Sequence, residues 1–219
     1  QSFYSVPIDS ITPIPHTVST RRALLTTEME RALSALWAAP PMIGERLLIL
    51  GENTTSYLLA YLAHRIKGCE VKICAQHTLT FQIADRLGLN AIPPSEVKES
   101  QDIVFHCSAG SELLHRGLKA LQKNGRFVDL SYFLRSDLHL HLDPSILNND
   151  INLIFAHPNR HTPNSTRWTP ERRRAFALEM LTDDRLDCLI SRDEVEFIDL
   201  PQRLEILSNT VGPQPYQAI

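Results

Sequence analysis

The sequence predicts an α/β fold: a doubly wound parallel sheet of about six strands with helices on both faces. Three observations predict it. Short apolar runs such as 47–50 (LLIL) and 102–107 (DIVFHC) alternate with longer stretches of helical period. The strand runs lack polar alternation, as strands buried on both faces do. Glycines stand where the helical stretches stop, at Gly68, Gly88 and Gly125.

Residues 1–18, QSFYSVPIDSITPIPHTV, hold three prolines and read as an extended arm, leaving 19–219 as a single domain. Its lead-in is 19–44, where Leu24, Leu25, Met29, Ala32, Leu33, Leu36 and Trp37 recur at helical spacing until Pro40-Pro41. The sheet core is 45–157: strands at 47–50, 71–75, 91–92, 102–107, 126–132 and 151–157, with helices at 57–66, 78–88 and 111–123 between them. The run 137–143 (DLHLHLD) alternates strictly, so one face is buried and one wet. Residues 158–219 supply C-terminal helices. Thr169 caps the first, with Pro170 and Glu171 in its first turn, and it runs to about 181. A strand-like piece follows at 185–191, then a helix at 200–207 with Pro201 in its first turn.

A net charge of −3 over 219 residues leaves no basic surplus for nucleic acid. The one basic run, ERRRA at 171–175, reads as a solvated helix face. Cys69, Cys74, Cys107 and Cys188 form no C-x-x-C pair and read as reduced thiols of a cytoplasmic protein. No apolar run has the length of a membrane span, and no leader pattern is present, so no membrane partner is expected. An opening Gln1 in place of methionine fits a piece of a longer protein.

The chemistry concentrates at the first strand–turn–helix. A helix start beside a strand end presents free N–H groups and a positive dipole to a pyrophosphate. In such a turn glycines allow close backbone approach. Here the turn reads Gly51-Glu52-Asn53-Thr54-Thr55-Ser56. Gly51 keeps the first glycine role. Asn53 stands at the second, where asparagine best tolerates a left-handed backbone but adds bulk. Ser56 stands at the third, and the hydroxyls of Thr54, Thr55 and Ser56 offer bonds to phosphate. An acid at the end of the second strand takes the adenosine ribose in NAD-binding folds. Here that strand ends Cys74-Ala75-Gln76-His77. The missing acid argues against ordinary NAD binding and is compatible with NADP, but the following turn has no arginine for the extra phosphate, only His77, and Lys72 lies within the strand.

At the carboxyl end of the fourth strand lie Cys107 and Ser108, and at that of the fifth Ser131; each serine either meets a nicotinamide ribose or caps a turn. His106 and Cys107 are strand neighbours, so they face opposite sides and cannot act together. His139 and His141 share one strand face, either as a metal pair or as the wet face of an edge strand. Arg167-Trp168 reads as an anion grip or as a cation stacked on a buried ring.

Several runs together resemble the medium-chain dehydrogenase/reductase superfamily, in particular the Rossmann-type cofactor domain of zinc-type alcohol, polyol and threonine dehydrogenases. They are ALLTTEMERALSALWAAPPMIGERLLILG (23–51), ADRLGLNAI (84–92), DIVFHCSAGSELLHRGLKALQKNGRFVDLSYF (102–133), RWTPERRRAFALEML and LDCLIS. The resemblance implies NAD or NADP as cofactor and a homodimer formed through the outer sheet edge. It also implies an N-terminal barrel-like catalytic domain with a zinc-binding Cys and a Gly-His-Glu segment, neither of which is in these residues. The polyol branch places a glutamate zinc ligand where Glu28 or Glu30 falls. One carboxylate without Cys and His partners is no zinc site, so no zinc is expected here and no catalytic residue is assigned. Two functions follow: a dehydrogenase-like oxidoreductase represented by its NAD(P)-binding domain, its catalytic domain missing or supplied by another chain, or a non-catalytic Rossmann module acting as a binding or scaffold subunit.

Overall fold

The computed structural model describes residues 5–108, 111–131, 143–158, 166–208 and 216–218. The lead-in is α1 (Thr20–Ala23) and α2 (Thr26–Ala38). Then come β1 (Arg46–Leu50), α3 (Thr54–His64), β2 (Glu70–Cys74), α4 (Thr78–Leu87), β3 (Asn90–Ile92), β4 (Gln101–His106), α5 (Ser111–Ala120), β5 (Leu121–Asp129), α6 (Pro144–Leu147) and β6 (Asn152–Phe155). These six strands form one sheet in the order β3-β2-β1-β4-β5-β6, and every pair is parallel. The chain continues through α7 (Pro170–Glu179), a 3-10 turn (Asp184–Leu189), β7 (Ile190–Glu194) and α8 (Leu200–Ser208), and β8 (Tyr216–Ala218) pairs with β7. Among the described residues no helix is long and apolar enough to cross a membrane.

The alternation of β1 explains the layers. Leu47 and Ile49 point into the core beneath α2, α3 and α4, with Tyr57, Leu58 and Ile83. Leu48 and Leu50 point the other way, against Leu114 and Leu118 of α5 and Ile146 of α6. All four are fully buried, which contributes about 1.5–3 kcal/mol each relative to exposure. α5 lies so close to the sheet that a Cβ on Gly117 would stand 2.6 Å from Leu50 and 2.9 Å from Phe127. The strand order reverses between β1 and β4, so the crevice of such sheets opens at their carboxyl ends.

Several boundaries differ from the sequence reading, among them the fifth strand, which runs Leu121–Asp129 rather than 126–132, and the sixth, which runs Asn152–Phe155 rather than 151–157. α3 begins at Thr54 rather than at 57, because Asn53 and Ser56 form a reciprocal capping box. α5 stops at Ala120, where Leu121 pairs with Gln101 and Asn124 turns to a φ of 61° with its N–H on the Asn149 carbonyl at 2.7 Å. The stretch 185–191 is mostly the 3-10 turn, and only its last two residues enter β7. The arm carries a 3-10 turn at Ile8–Ser10 and is held by Arg174, which donates to the Ser10 carbonyl at 3.0 Å and to Thr12. The basic run at 171–175 is therefore more than a solvated face: Arg173 also donates to Glu30 at 2.8 Å and to the Pro158 carbonyl. The run 137–143 lies, except for Asp143, outside the described residues.

Candidate functional site

Gly51 leaves β1 with a φ of 137°, a backbone state that side chains resist. The turn also needs glycine for space, since a Cβ there would stand 3.0 Å from the backbone of Cys107 at the end of β4. The sequence reading of Gly51 matches this geometry. Its reading of Asn53 needs correction. Asn53 has φ −138° and ψ 171°, an extended state, because an N-cap residue sits outside the helical region. Its Oδ1 accepts from the Ser56 N–H at 3.0 Å, while its Nδ2 donates to the Cys107 carbonyl at 2.6 Å. The side chain thus caps α3 and bridges the switch point.

The hydroxyls expected to meet phosphate are mostly engaged. Ser56 donates to the Asn53 carbonyl at 2.7 Å and accepts from its N–H. Thr55 donates to Glu28. Among the described residues Thr54 alone of the three makes no side-chain hydrogen bond. Glu28 also pairs with Arg31, and Glu30 with Arg173, so both carboxylates near the place of the polyol branch's glutamate ligand are already held. Among the described residues no group of three or more His, Cys, Asp or Glu side chains is placed to hold a metal ion. His139 and His141 lie outside those residues.

Glu52 carries the largest surprise. Its side chain, 11% exposed, crosses from the turn to the end of β2. One carboxylate oxygen accepts from the Gln76 N–H at 3.1 Å and meets His77 Nδ1 at 3.0 Å. The other accepts from the His77 N–H at 3.0 Å and from the Thr80 hydroxyl at 2.5 Å. Thr80 donates to Glu52, so it accepts from the buried Tyr57 hydroxyl at 2.8 Å. Burial by itself would raise the Glu52 carboxyl, but the bonds from Thr80, His77 and Gln76 outweigh it and hold it below its ordinary range. Burial also pushes Tyr57 up to about 12, so it stays a donor. The carboxylate therefore stands where Ala75 offers none, and its lone pairs are filled from within.

At the ends of β4 and β5 the predicted division of faces holds. Cys107 packs into the core under α2 and α3, fully buried, and burial pushes its thiol far above the ordinary range. His106 faces Phe127 on the opposite side, and its Nδ1 meets Asp129 at 2.8 Å. Asp129 also accepts from the Ser131 hydroxyl at 2.8 Å, so Ser131 closes a turn. His106 is fully buried, and its Nε2 has no partner among the described residues. Trp168 stacks on Trp37 with centroids 4.6 Å apart, and the cation over it is Arg172 at 4.4 Å, not the neighbouring Arg167. A groove of about 830 Å³ lies elsewhere, between α1, α4 and the 3-10 turn, but ion pairs occupy Arg22 and Arg185 in it.

No family model matches the chain, and neither does any curated protein. Solved structures do. A short chain alcohol dehydrogenase from Escherichia coli CFT073, solved with NADH, superposes with a TM-score of 0.74 at 12% identity, over 97% of this chain and 62% of that one. Galactitol-1-phosphate dehydrogenase from Escherichia coli gives 0.72 at 15% identity, over 93% and 62%. The Bacillus subtilis protein yhfP, solved with NAD bound, gives 0.66 at 19% identity, over 94% and 65%. The fold is the Rossmann-like α/β fold that these structures share. At these identities the likeness is one of fold, and the chain spans 62–65% of the length of these three structures.

Sequence reasoning missed Glu52, Thr80 and Asp129. Only Glu52 left a signal, as an acid inside the turn directly after Gly51.

Proposed function

We propose that this chain is the nucleotide domain of a zinc-type dehydrogenase-like oxidoreductase, with the catalytic zinc domain carried in a longer chain or on another one. The observation that carries this reading is the switch point between β1 and β4, where Gly51 leads into the start of α3. The likeness in fold to dehydrogenases solved with NADH and NAD supports it. When bound, NAD or NADP would supply the hydride chemistry. Gly51 and the first turn of α3 fit the pyrophosphate. The adenosine side does not fit as it stands, because Glu52 has no free acceptor for a ribose diol.

That same observation favours a second reading, a non-catalytic Rossmann module serving as a binding or scaffold subunit. Under either reading we propose a homodimer through β6, the outer strand of the sheet, where Leu153 is 41% and Phe155 59% exposed.

Thermal denaturation with NAD, NADH, NADP and NADPH, each at millimolar concentration, separates the two. A ligand at about 100 times its Kd stabilises by about 2.7 kcal/mol. A rise in Tm with one of the four, for the wild-type chain or for Glu52→Ala, supports the oxidoreductase, and no rise with any for either leaves the module.

A further inference from the structure

We propose that Glu52 is an internal occupant of the adenosine half-site, and that the subsite it fills takes a phosphate monoester, the 2′-phosphate of NADP, rather than a ribose diol. This rests on the dinucleotide reading above. The groups around the carboxylate are the Gln76 N–H, the His77 N–H and ring, and the Thr80 hydroxyl, all at 2.5–3.1 Å. They sit at the start of the ten-residue α4, whose dipole also favours negative charge. Four donors converge on one point. A ribose diol needs acceptors, as an acid on β2 would provide, and Ala75 provides none. A phosphate needs donors, and Glu52 supplies the same geometry of negative oxygens that a phosphate would bring.

Glu52 therefore acts as a blocking residue at the adenosine half-site. In place, it repels a phosphate by charge and rejects a diol because its lone pairs are filled. The Thr80–Tyr57 bond behind it braces the Thr80 donor from a buried position. A nucleotide enters only by displacing the carboxylate, so affinity for the wild-type chain is low.

The test is calorimetric titration of NADPH and NADH into the full chain, comparing wild type, Glu52→Ala and Glu52→Gln. Glu52→Ala binds NADPH at least about tenfold more tightly than wild type, and at least about tenfold more tightly than it binds NADH. Glu52→Gln keeps one acceptor oxygen, enough for one of the two backbone N–H groups, turns an amide NH2 toward the other donors and loses the charge. It gives a smaller gain and covers the case in which the alanine variant does not fold. Equal NADPH binding by wild type and both variants overturns the proposal and leaves the dinucleotide reading standing. A gain for NADH equal to that for NADPH overturns the phosphate assignment. No binding by any of the three at millimolar nucleotide overturns the proposal and the dinucleotide reading together.

Discussion

The side-chain amide of Asn53 donates to the carbonyl of Cys107 at 2.6 Å, joining the residue before α3 to the residue after β4. The same side chain accepts from the Ser56 N–H at 3.0 Å. One residue thus caps a helix and ties together the two strands between which the sheet reverses. Asn53→Ala removes both roles, for a loss of about 1 kcal/mol from the cap and about 1 kcal/mol from the bridge. Asn53→Asp keeps the cap acceptor but sets a carboxylate against a carbonyl, so it loses the bridge alone or more. Urea denaturation measures both. Asn53→Ala within about 0.5 kcal/mol of wild type would show that neither bond contributes.

Gly51→Ala meets two obstacles at once, the φ of 137° and the Cys107 backbone at 3.0 Å. Backbone strain of this kind costs about 1–3 kcal/mol. The contact adds to it, because the neighbour is main chain, tied by its N–H to the Leu50 carbonyl at 2.7 Å, and cannot swing away. The expected result is a variant destabilised by about 2–4 kcal/mol, read from the urea midpoint at unchanged m-value. A neutral substitution would mean that the turn has room the structure does not show.

The parts of this molecule that were legible in sequence are those set by local pattern. The buried run at 47–50, the glycine stop at Gly88 and the Thr169 cap of α7 each depend on neighbours within a turn or two. Glu52 was illegible because its partners lie 24–28 residues away, at Gln76, His77 and Thr80. The absence of an acid at Ala75 was read, but its replacement by a carboxylate from another loop appears only once β1 and β2 are side by side. Asn53 departs from the sequence pattern for a different reason. Its place in the glycine pattern suggested a left-handed backbone, whereas helix capping demands an extended one. Arg167 adjoins Trp168 in sequence, yet Arg172 stacks on the ring because the start of α7 brings it back over Trp168.

Glu52 also predicts a pH dependence. Its folded-state pKa is depressed, so its contribution to stability is fully present above the unfolded-state value, about 4.3–4.5. The contribution is lost as pH falls through the folded-state value. Glu52→Gln lacks this term. The wild-type chain is therefore more stable than Glu52→Gln near neutrality, and the gap between them narrows on acidification below about pH 5. Urea midpoints of both proteins from pH 7 to pH 3 measure it. Parallel curves would mean that the Glu52 bonds contribute equally in both protonation states.

Arg22 carries the last prediction, which concerns the union of the lead-in with the C-terminal segment. Its guanidinium, 7% exposed, donates to Asp187 at 2.8 Å, to Asp184 at 2.6 Å, and to the Leu181 and Thr182 carbonyls at 3.2 and 2.8 Å. These acceptors surround a plane, which suits a rigid fork and not a single ammonium. Asp184 is 88% exposed, so water replaces the arginine there at little cost, whereas the Leu181 carbonyl is met in a buried contact. Arg22→Lys is therefore expected to cost about 2 kcal/mol, mostly from carbonyls left without donors, while Asp184→Asn costs about 0.5 kcal/mol. The same ordering should appear in amide exchange, with Arg22→Lys raising exchange in the Asp184–Leu189 turn before the sheet is affected. Equal losses for the two variants would show that the ion pair, and not the planar fit to the carbonyls, holds the C-terminal segment to α1.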